Sequence, residues 1–497
     1  MNTLSVENVG AKTRQSIKWS FFLQIIQKIF FLAGSIVLAR LLTPHDFGLA
    51  TMAMTFDMII WLISSSGITS SIIYFQDNVE ERLDTVFWLF IVSMTFFIGI
   101  QIALAPAIAN FYKSQLLADI IRLSAVALFI SCFGSIQKVI LFKNMEFKKT
   151  SILECVLNII KSILYVVLAL SGYGVWSFIY PKIVVAVIFV ISIWNMSSWR
   201  PKLRFNLKYW AEMFNYGKNV LFSNLIDYFL NNSSYILIGG FMGSTLLGFY
   251  TFAYDKSMMV VNNIAYPVTM ISFPAFSKLQ NHREKLKEAF FKTVKFISFI
   301  TFPCTMGQIL LAPEYITTVF GSKWQNSIVI FQLILVYSMF RSVSQCGTPV
   351  LQGVGKASAV LKWNLIYAPV FILSLYLGYK SGGIYGVGLA ASLVGSIGAF
   401  IYMLIVIKEL KWSFNDLSNA LKSSLISSII MTTAIFALRE FLKHINTPDV
   451  IILATVIPSG ILVYILCVRI FFKETYQLVA DNLMKFLDKK QPKPAEA

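Results

Sequence analysis

Apolar residues run through this chain in long stretches separated by short polar loops. Each stretch reaches the ~20 residues that carry a helix across the hydrocarbon of a bilayer. The pattern predicts an all-α integral membrane protein of about fourteen transmembrane helices. The spans fall at 16–42, 46–74, 84–111, 116–142, 150–171, 174–196, 212–240, 244–275, 289–312, 327–351, 357–377, 383–407, 416–443 and 448–472.

One junction organises the rest. Ala39-Arg40-Leu41-Leu42-Thr43-Pro44-His45-Asp46-Phe47-Gly48-Leu49 ends the first span and starts the second. Pro44 biases Thr43 away from helical geometry, and Asp46 is suited to cap the next helix. A similar hairpin recurs 200 positions later, where Ile36 matches Ile236, Gly48 matches Gly248, Thr51 matches Thr251 and Ala53 matches Ala253. Two related halves of this kind are a mark of transporters. The expected organisation is a lobe at 1–196, a cytoplasmic linker at 197–211 and a pseudo-twofold-related six-helix lobe at 212–407. An added helix pair follows at 408–472, then a cytoplasmic tail at 473–497. The tail is amphipathic through Leu478, Val479, Leu483, Phe486 and Leu487, and it is expected to lie at the membrane surface.

Composition agrees with the spans. Of 497 residues 57% are hydrophobic and only 13% charged, about half the charge of a soluble protein. Lys and Arg outnumber Asp and Glu by 42 to 24. In a membrane protein that excess speaks of orientation and not of nucleic acid. One set of loops carries Arg82, Lys143, Lys148, Lys149, Arg200, Lys202, Arg204, Lys278, Arg283, Lys285, Lys287, Lys356, Lys408 and Lys411. The other carries only Lys113, Lys323, Lys380 and Lys443, with Arg40 at a helix end. The first set is therefore cytoplasmic, with both termini inside. The stretch from Gln76 to Asp84 departs from this trend, being acidic. The five cysteines stand apart, and the three histidines have no ligand-spaced partners, so neither a metal nor a cofactor is expected. Gly353-Val354-Gly355-Lys356 lacks the full spacing of a phosphate loop and reads as a turn.

The informative residues are charges in mid-span: Lys28, Asp57, Lys161, Lys182, Asp227, Asp255, Lys256 and Arg341. Each would cost roughly 2.5–3.5 kcal/mol facing lipid, so they must meet one another or a wet cavity. Asn215, Asn219, Ser223, Asp227 and Asn231 recur every fourth residue, and Ser16, Ser20, Gln24 and Lys28 do the same in span one. Such spacing puts each set on one helix face. Two pairings are open, Asp227 with Lys256 and Lys28 with Asp57, each of which would be structural. For Lys161, Lys182 and Arg341 the sequence places no acid at matching depth on a neighbouring span. They point to a water-filled cationic cavity, hence to cargo bearing phosphate, pyrophosphate or a uronic acid. No nucleotide site is present, so an ion gradient would drive transport, with Asp57, Asp227 and Asp255 the candidate ion sites.

The hairpin motif Ala39 to Leu49 resembles that of the polysaccharide-transport branch of the multidrug/oligosaccharidyl-lipid/polysaccharide exporter superfamily. Leu141-Phe142-Lys143-Asn144-Met145-Glu146, Gly172-Tyr173-Gly174-Val175-Trp176 and Gly382-Gly383-Ile384-Tyr385-Gly386-Val387-Gly388 extend the resemblance along the chain. The resemblance implies two lobes about a central cavity and alternating access. It also implies a cargo of undecaprenyl-pyrophosphate-linked oligosaccharide, flipped across a bacterial inner membrane for lipopolysaccharide, O-antigen or other surface polysaccharide. Lys28, Lys161, Lys182, Lys256 and Arg341 would then bind the anionic cargo, H⁺ or Na⁺ would be the coupling cation, and polysaccharide polymerase machinery would be a partner. The added helix pair resembles peptidoglycan lipid flippases, an alternative cargo class. A cation or drug antiporter of the same fold would want an acidic cavity, and a membrane enzyme would want a large outer loop. The chain offers neither.

Overall fold

The computed structural model describes residues 23, 26–65, 72, 79–144 and 146–477, without the side chains of 213, 214, 216, 217, 219 and 220. Ser16, Ser20 and Gln24 of the first stripe, Asn219 of the second, Gln76 to Asn78 and the amphipathic tail lie outside the described residues. All regular structure among the described residues is helical. The chain divides into two compact units, residues 1–251 and 252–497.

In the first unit a helix over residues 26–41 (α1) leads to α2 (Pro44–Ser65). Then come α3 (Val79–Phe111), α4 (Leu116–Lys143), α5 (Phe147–Leu170), α6 (Trp176–Met196) and α7 (Leu207–Met242). The second hairpin starts α8 (Ser244–Ser257). The first hairpin corrects one expectation. Asp46 is not the cap but its partner three residues on. Thr43 Oγ1 lies 3.3 Å from the Asp46 N–H, while the Asp46 carboxylate accepts from the Thr43 N–H at 2.9 Å and its hydroxyl at 2.6 Å. This is a reciprocal capping box with Pro44 as the first helical residue, where its missing N–H costs nothing.

The two hairpins then meet. A Cβ added to Gly48 would stand 1.8 Å from the carbonyl oxygen of Ser244, and one on Gly248 would stand 1.8 Å from that of Pro44. The contact is reciprocal, as a twofold demands, and only glycine permits it.

The linker to α7 is clamped onto the start of α3. The Lys202 N–H donates to buried Asp84 at 3.0 Å, Trp88 Nε1 donates to the Lys202 carbonyl at 2.9 Å, and Arg82 pairs with Glu212 at 2.8 Å. Asp84, and Glu80 at 3.8 Å from Lys202 Nζ, thus meet the basic linker, which accounts for two of the acids in this loop.

In the second unit α8 bends by 40° into α9 (Tyr266–Lys278) through a π-turn at Val261–Ala265. Pro267 lies just beyond and cannot donate to the carbonyl four residues back. There follow α10 (Arg283–Leu310), the short α11 (Ala312–Phe320), a 3₁₀ turn, α12 (Ile328–Ser344) and the short α13 (Gly347–Gly353). Then come α14 (Ala357–Leu410), α15 (Phe414–His444) and α16 (Asp449–Phe471). α14 leaves helical geometry at Gly382 and at Gly383, whose φ is +55°. It also doubles back: the Gly378 and Gly386 backbones approach so closely that a Cβ on either would strike the other's carbonyl oxygen. Among the described residues ten helices are long and apolar enough to cross a membrane, eleven with the bent α8–α9 pair. The chain is an all-α, multi-pass membrane protein.

Candidate functional site

Inside the first unit α2, α3, α4, α5 and α6 enclose a cavity of about 660 Å³. Its wall is built by helical spacing. α2 contributes Asp57, Trp61 and Ser65, and α4 contributes Ser124, Ser131, Ser135 and Lys138. α5 contributes Glu154, Asn158 and Lys161, while α6 contributes Lys182, Val185, Ala186 and Phe189. Steps of three, four and seven put each set on one face. Phe90 of α3 closes a side and packs edge-on against Trp61 at 5.9 Å.

Asp57 is the centre. Its Oδ2 lies 3.4 Å from Lys182 Nζ, and its Oδ1 accepts from Ser124 Oγ at 2.9 Å and Gln101 Nε2 at 3.1 Å. Four helices converge on one carboxylate. The sequence offered Lys182 no acid; the fold supplies one 125 positions away. The pairing of Asp57 with Lys28 is not what the structure holds, and Lys28 is exposed on α1. At the rim Lys138 pairs with Glu154 at 2.6 Å. Three lysines thus meet two carboxylates in the wall, and Lys161 makes no ion pair among the described residues. The cavity keeps one positive charge over, in a partly dehydrated setting that strengthens its field. Gln101 Oε1 is buried without a partner among the described residues, leaving an acceptor beside Asp57.

The other candidates stand elsewhere. Asp227 is exposed on α7, its backbone carbonyl accepting from Asn231 Nδ2 at 2.7 Å. Asp255 is exposed on α8, and Lys256 is half-buried with its ammonium 5.3 Å from the Phe320 ring centre. Arg341 on α12 donates to the Tyr337 hydroxyl and sits 5.6 Å over that ring, near Tyr254 and Tyr367. The structure therefore brings Asp57, Lys161 and Lys182 to one cavity, and none of the other candidates is in its lining. Gln101, Ser124, Lys138, Glu154 and Asn158 were missed. The signal was present in the period of Ser124, Ser131, Ser135 and Lys138 along α4.

No group of three or more His, Cys, Asp or Glu among the described residues is placed to hold a metal.

The first unit thus holds a charged cavity among five helices. The structure is similar to "Lipid II flippase MurJ, inward closed conformation" with a TM-score of 0.77, at 16% identity, covering 92% of this chain and 99% of that one. It is also similar to an inward-facing multidrug resistance MATE family transporter of the MOP superfamily, with a TM-score of 0.61, 17% identity and coverage of 78% and 94%. The chain belongs to the polysaccharide biosynthesis protein family, whose model matches residues 37–329. Among curated relatives, the lipopolysaccharide biosynthesis protein WzxC of Escherichia coli K12 is 25% identical over 410 residues, 80% of this chain and 81% of that protein. The teichuronic acid biosynthesis protein TuaB of Bacillus subtilis 168 is 22% identical over 406 residues, 81% and 84% of the two chains. The family resemblance carried by the Ala39–Leu49 hairpin is borne out by membership of the polysaccharide biosynthesis protein family.

Proposed function

We propose that this protein is a flippase, and not an enzyme, that carries a lipid-linked oligosaccharide repeat unit across a bacterial inner membrane for surface polysaccharide assembly. The cavity with Asp57, Lys161 and Lys182 is the observation that carries this reading. A sugar–pyrophosphate head cannot cross hydrocarbon unaided, and these residues offer it water-like polar contacts and positive charge at membrane depth. The relatives' names, which speak of lipopolysaccharide and teichuronic acid biosynthesis, support the same cargo class. In this reading the carrier is undecaprenyl pyrophosphate, whose prenyl tail stays in lipid while the head enters the cavity.

Asp57 and Lys182 give the site its logic. A cation, H⁺ or Na⁺, that occupies Asp57 competes with the Lys182 ammonium, with Gln101 Oε1 as a second oxygen ligand. An anion on Lys182 competes with Asp57 in turn. Each event releases the partner the other needs, so the two binding equilibria help one another reciprocally. Lys28, Lys256 and Arg341 are further contacts for the anionic head, and Asp227 and Asp255 further cation sites. Fourteen spans, lobes at 1–196 and 212–407 and cytoplasmic termini complete the proposal. The reciprocal Gly48–Gly248 contact supports the pseudo-twofold, and the Lys/Arg bias supports the orientation.

The test is paired. Lys161→Gln, Lys182→Gln and Arg341→Gln should each make the lipid-linked intermediate accumulate on the inner leaflet while protein abundance holds. Arg341→Lys should keep part of the export, because it keeps charge and loses only the fork. Full export by all three Gln variants at normal abundance would reject the cationic cavity.

A further inference from the structure

A second hollow, about 410 Å³, lies in the C-terminal unit where α10, α15 and the end of α16 meet. Transport as proposed makes no use of it. Lys295 of α10, Lys422 of α15 and Lys473 just past α16 all line it. None of the three makes an ion pair among the described residues. One carboxylate, Glu474, also lines it, so positive charge prevails by two. Ser423 sits in the wall with 3% of its surface exposed, and its hydroxyl has no partner among the described residues. Such a group is costly to bury unless something bonds it. Phe471 forms an apolar lip, 68% exposed.

Three ammonium groups from separate elements repel one another unless an anion sits among them. A buried hydroxyl donor and an exposed phenyl add the two features that tell a lipid headgroup from a bare ion. The hollow holds on the order of ten water volumes, enough for a phosphodiester and its glycerol. Basic pockets between helices at the cytoplasmic surface bind anionic headgroups. We propose that this pocket binds the phosphodiester headgroup of an anionic glycerophospholipid, with Lys295, Lys422 and Lys473 on the phosphate, Ser423 as a hydroxyl donor and Phe471 against the acyl chain. The leaflet assignment rests on the proposed orientation; the site does not depend on the cargo.

The experiment uses the full chain in nanodiscs of phosphatidylcholine containing a minor share of phosphatidylglycerol. Co-purifying lipid is counted by native mass spectrometry. Lys295→Gln/Lys422→Gln/Lys473→Gln should lower phosphatidylglycerol retention roughly tenfold or more. A control with Lys278, Lys285 and Lys408 changed to Gln should retain the wild-type amount. Lys422→Glu alone, at an exposed position, should give most of the loss should the triple variant fold poorly. Ser423→Ala should give a smaller loss. Equal losses in the control set, or none in the pocket set, overturn the proposal. So does displacement of the lipid by millimolar inorganic phosphate, or retention of a prenyl phosphate in place of phosphatidylglycerol. Because the readout is lipid retention, its failure is distinct from any failure of polysaccharide export.

Discussion

The helices that follow the two hairpins, α2 and α8, begin alike and then part company in chemistry. Position 57 lies in the first unit, and the position 200 residues on is Ser257, in the second. Asp57 gathers Lys182, Gln101 and Ser124 around an open cavity. Ser257 is fully buried and donates to the Ala253 and Phe331 carbonyls at 2.8 and 3.1 Å. Other seams of the second unit do the same: Thr301 meets Ser342 at 2.9 Å, and Ser298 meets Ser424 at 3.0 Å. Hydroxyls are inexpensive in a span because the helix's own carbonyls satisfy them. A carboxylate needs partners from several helices. The first unit thus pairs opposite charges around a cavity, while the second closes seams with hydroxyls, sets Arg341 and Lys256 against aromatic rings, and pairs Lys287 with Asp416 and Glu314 with Arg439 and Lys443. Shared geometry without shared chemistry ties the hairpins to the architecture, and the charge at Asp57 is the part assigned to transport in the proposed function.

The largest effect should come from the geometry the halves share. Gly48→Ala and Gly248→Ala each drive a methyl into a carbonyl oxygen. Overpacking against backbone should cost about 3 kcal/mol or more, and equally in both. Membrane abundance and thermal midpoint read it. Tolerance of one and not the other would break the symmetry of the crossing.

The next separates charge from hydroxyl. Asp57→Asn leaves the half-buried Lys182 without its counter-charge and should cost roughly 2–3 kcal/mol, less than a fully buried pair because both side chains keep some exposure. Adding Lys182→Gln should restore most of that stability and none of the transport. Ser257→Ala should cost ~1 kcal/mol and leave transport intact. A double variant that transports would show the pair to be structural only.

How much of this could be read beforehand follows from range. Spans, hairpins and mid-span charges are written in local periodicity, so Asp57, Lys161 and Lys182 stood out. The partner of Lys182 did not, because it lies on a helix 125 positions away. Nor did the exchange of roles between Thr43 and Asp46, since either residue type caps a helix and only the position of Pro44 decides. Gln101 and Ser124 are unremarkable until α3 and α4 bring them to one carboxylate.

The ion pairs at the ends of the second unit make a pH test. Glu314 on α11 is 1% exposed, and Arg439 and Lys443 of α15 contact its Oε1 at 2.7 and 2.6 Å. Burial pushes this carboxyl upward, but the bonds from Lys443 and Arg439 outweigh it and hold it below its ordinary value. A depressed value means the stabilisation is present above the unfolded value of ~4.3 and is lost as pH falls through the folded one. Docking of the last helix pair should therefore hold at neutral pH and weaken only in acid below about pH 4. Glu314→Gln should cost roughly 2 kcal/mol at pH 7 and abolish the acid step in thermal melts. An unchanged acid step would assign it to other groups.

The smallest effect compares the hairpins by how each turns. The first uses a capping box, Thr43 with Asp46. The second uses Gly243, whose φ of +87° no L side chain adopts without strain. Thr43→Val keeps shape and removes the hydroxyl, and should cost about 1 kcal/mol. Gly243→Ala should cost a similar ~1–2 kcal/mol by backbone strain alone. Asp46→Asn tells the two mechanisms apart, since the amide keeps one acceptor but loses charge at a helix N-terminus, worth a few tenths of a kcal/mol in the first hairpin. If Thr43→Val proves neutral, the glycine crossing alone holds both turns, and the box is a consequence of that crossing.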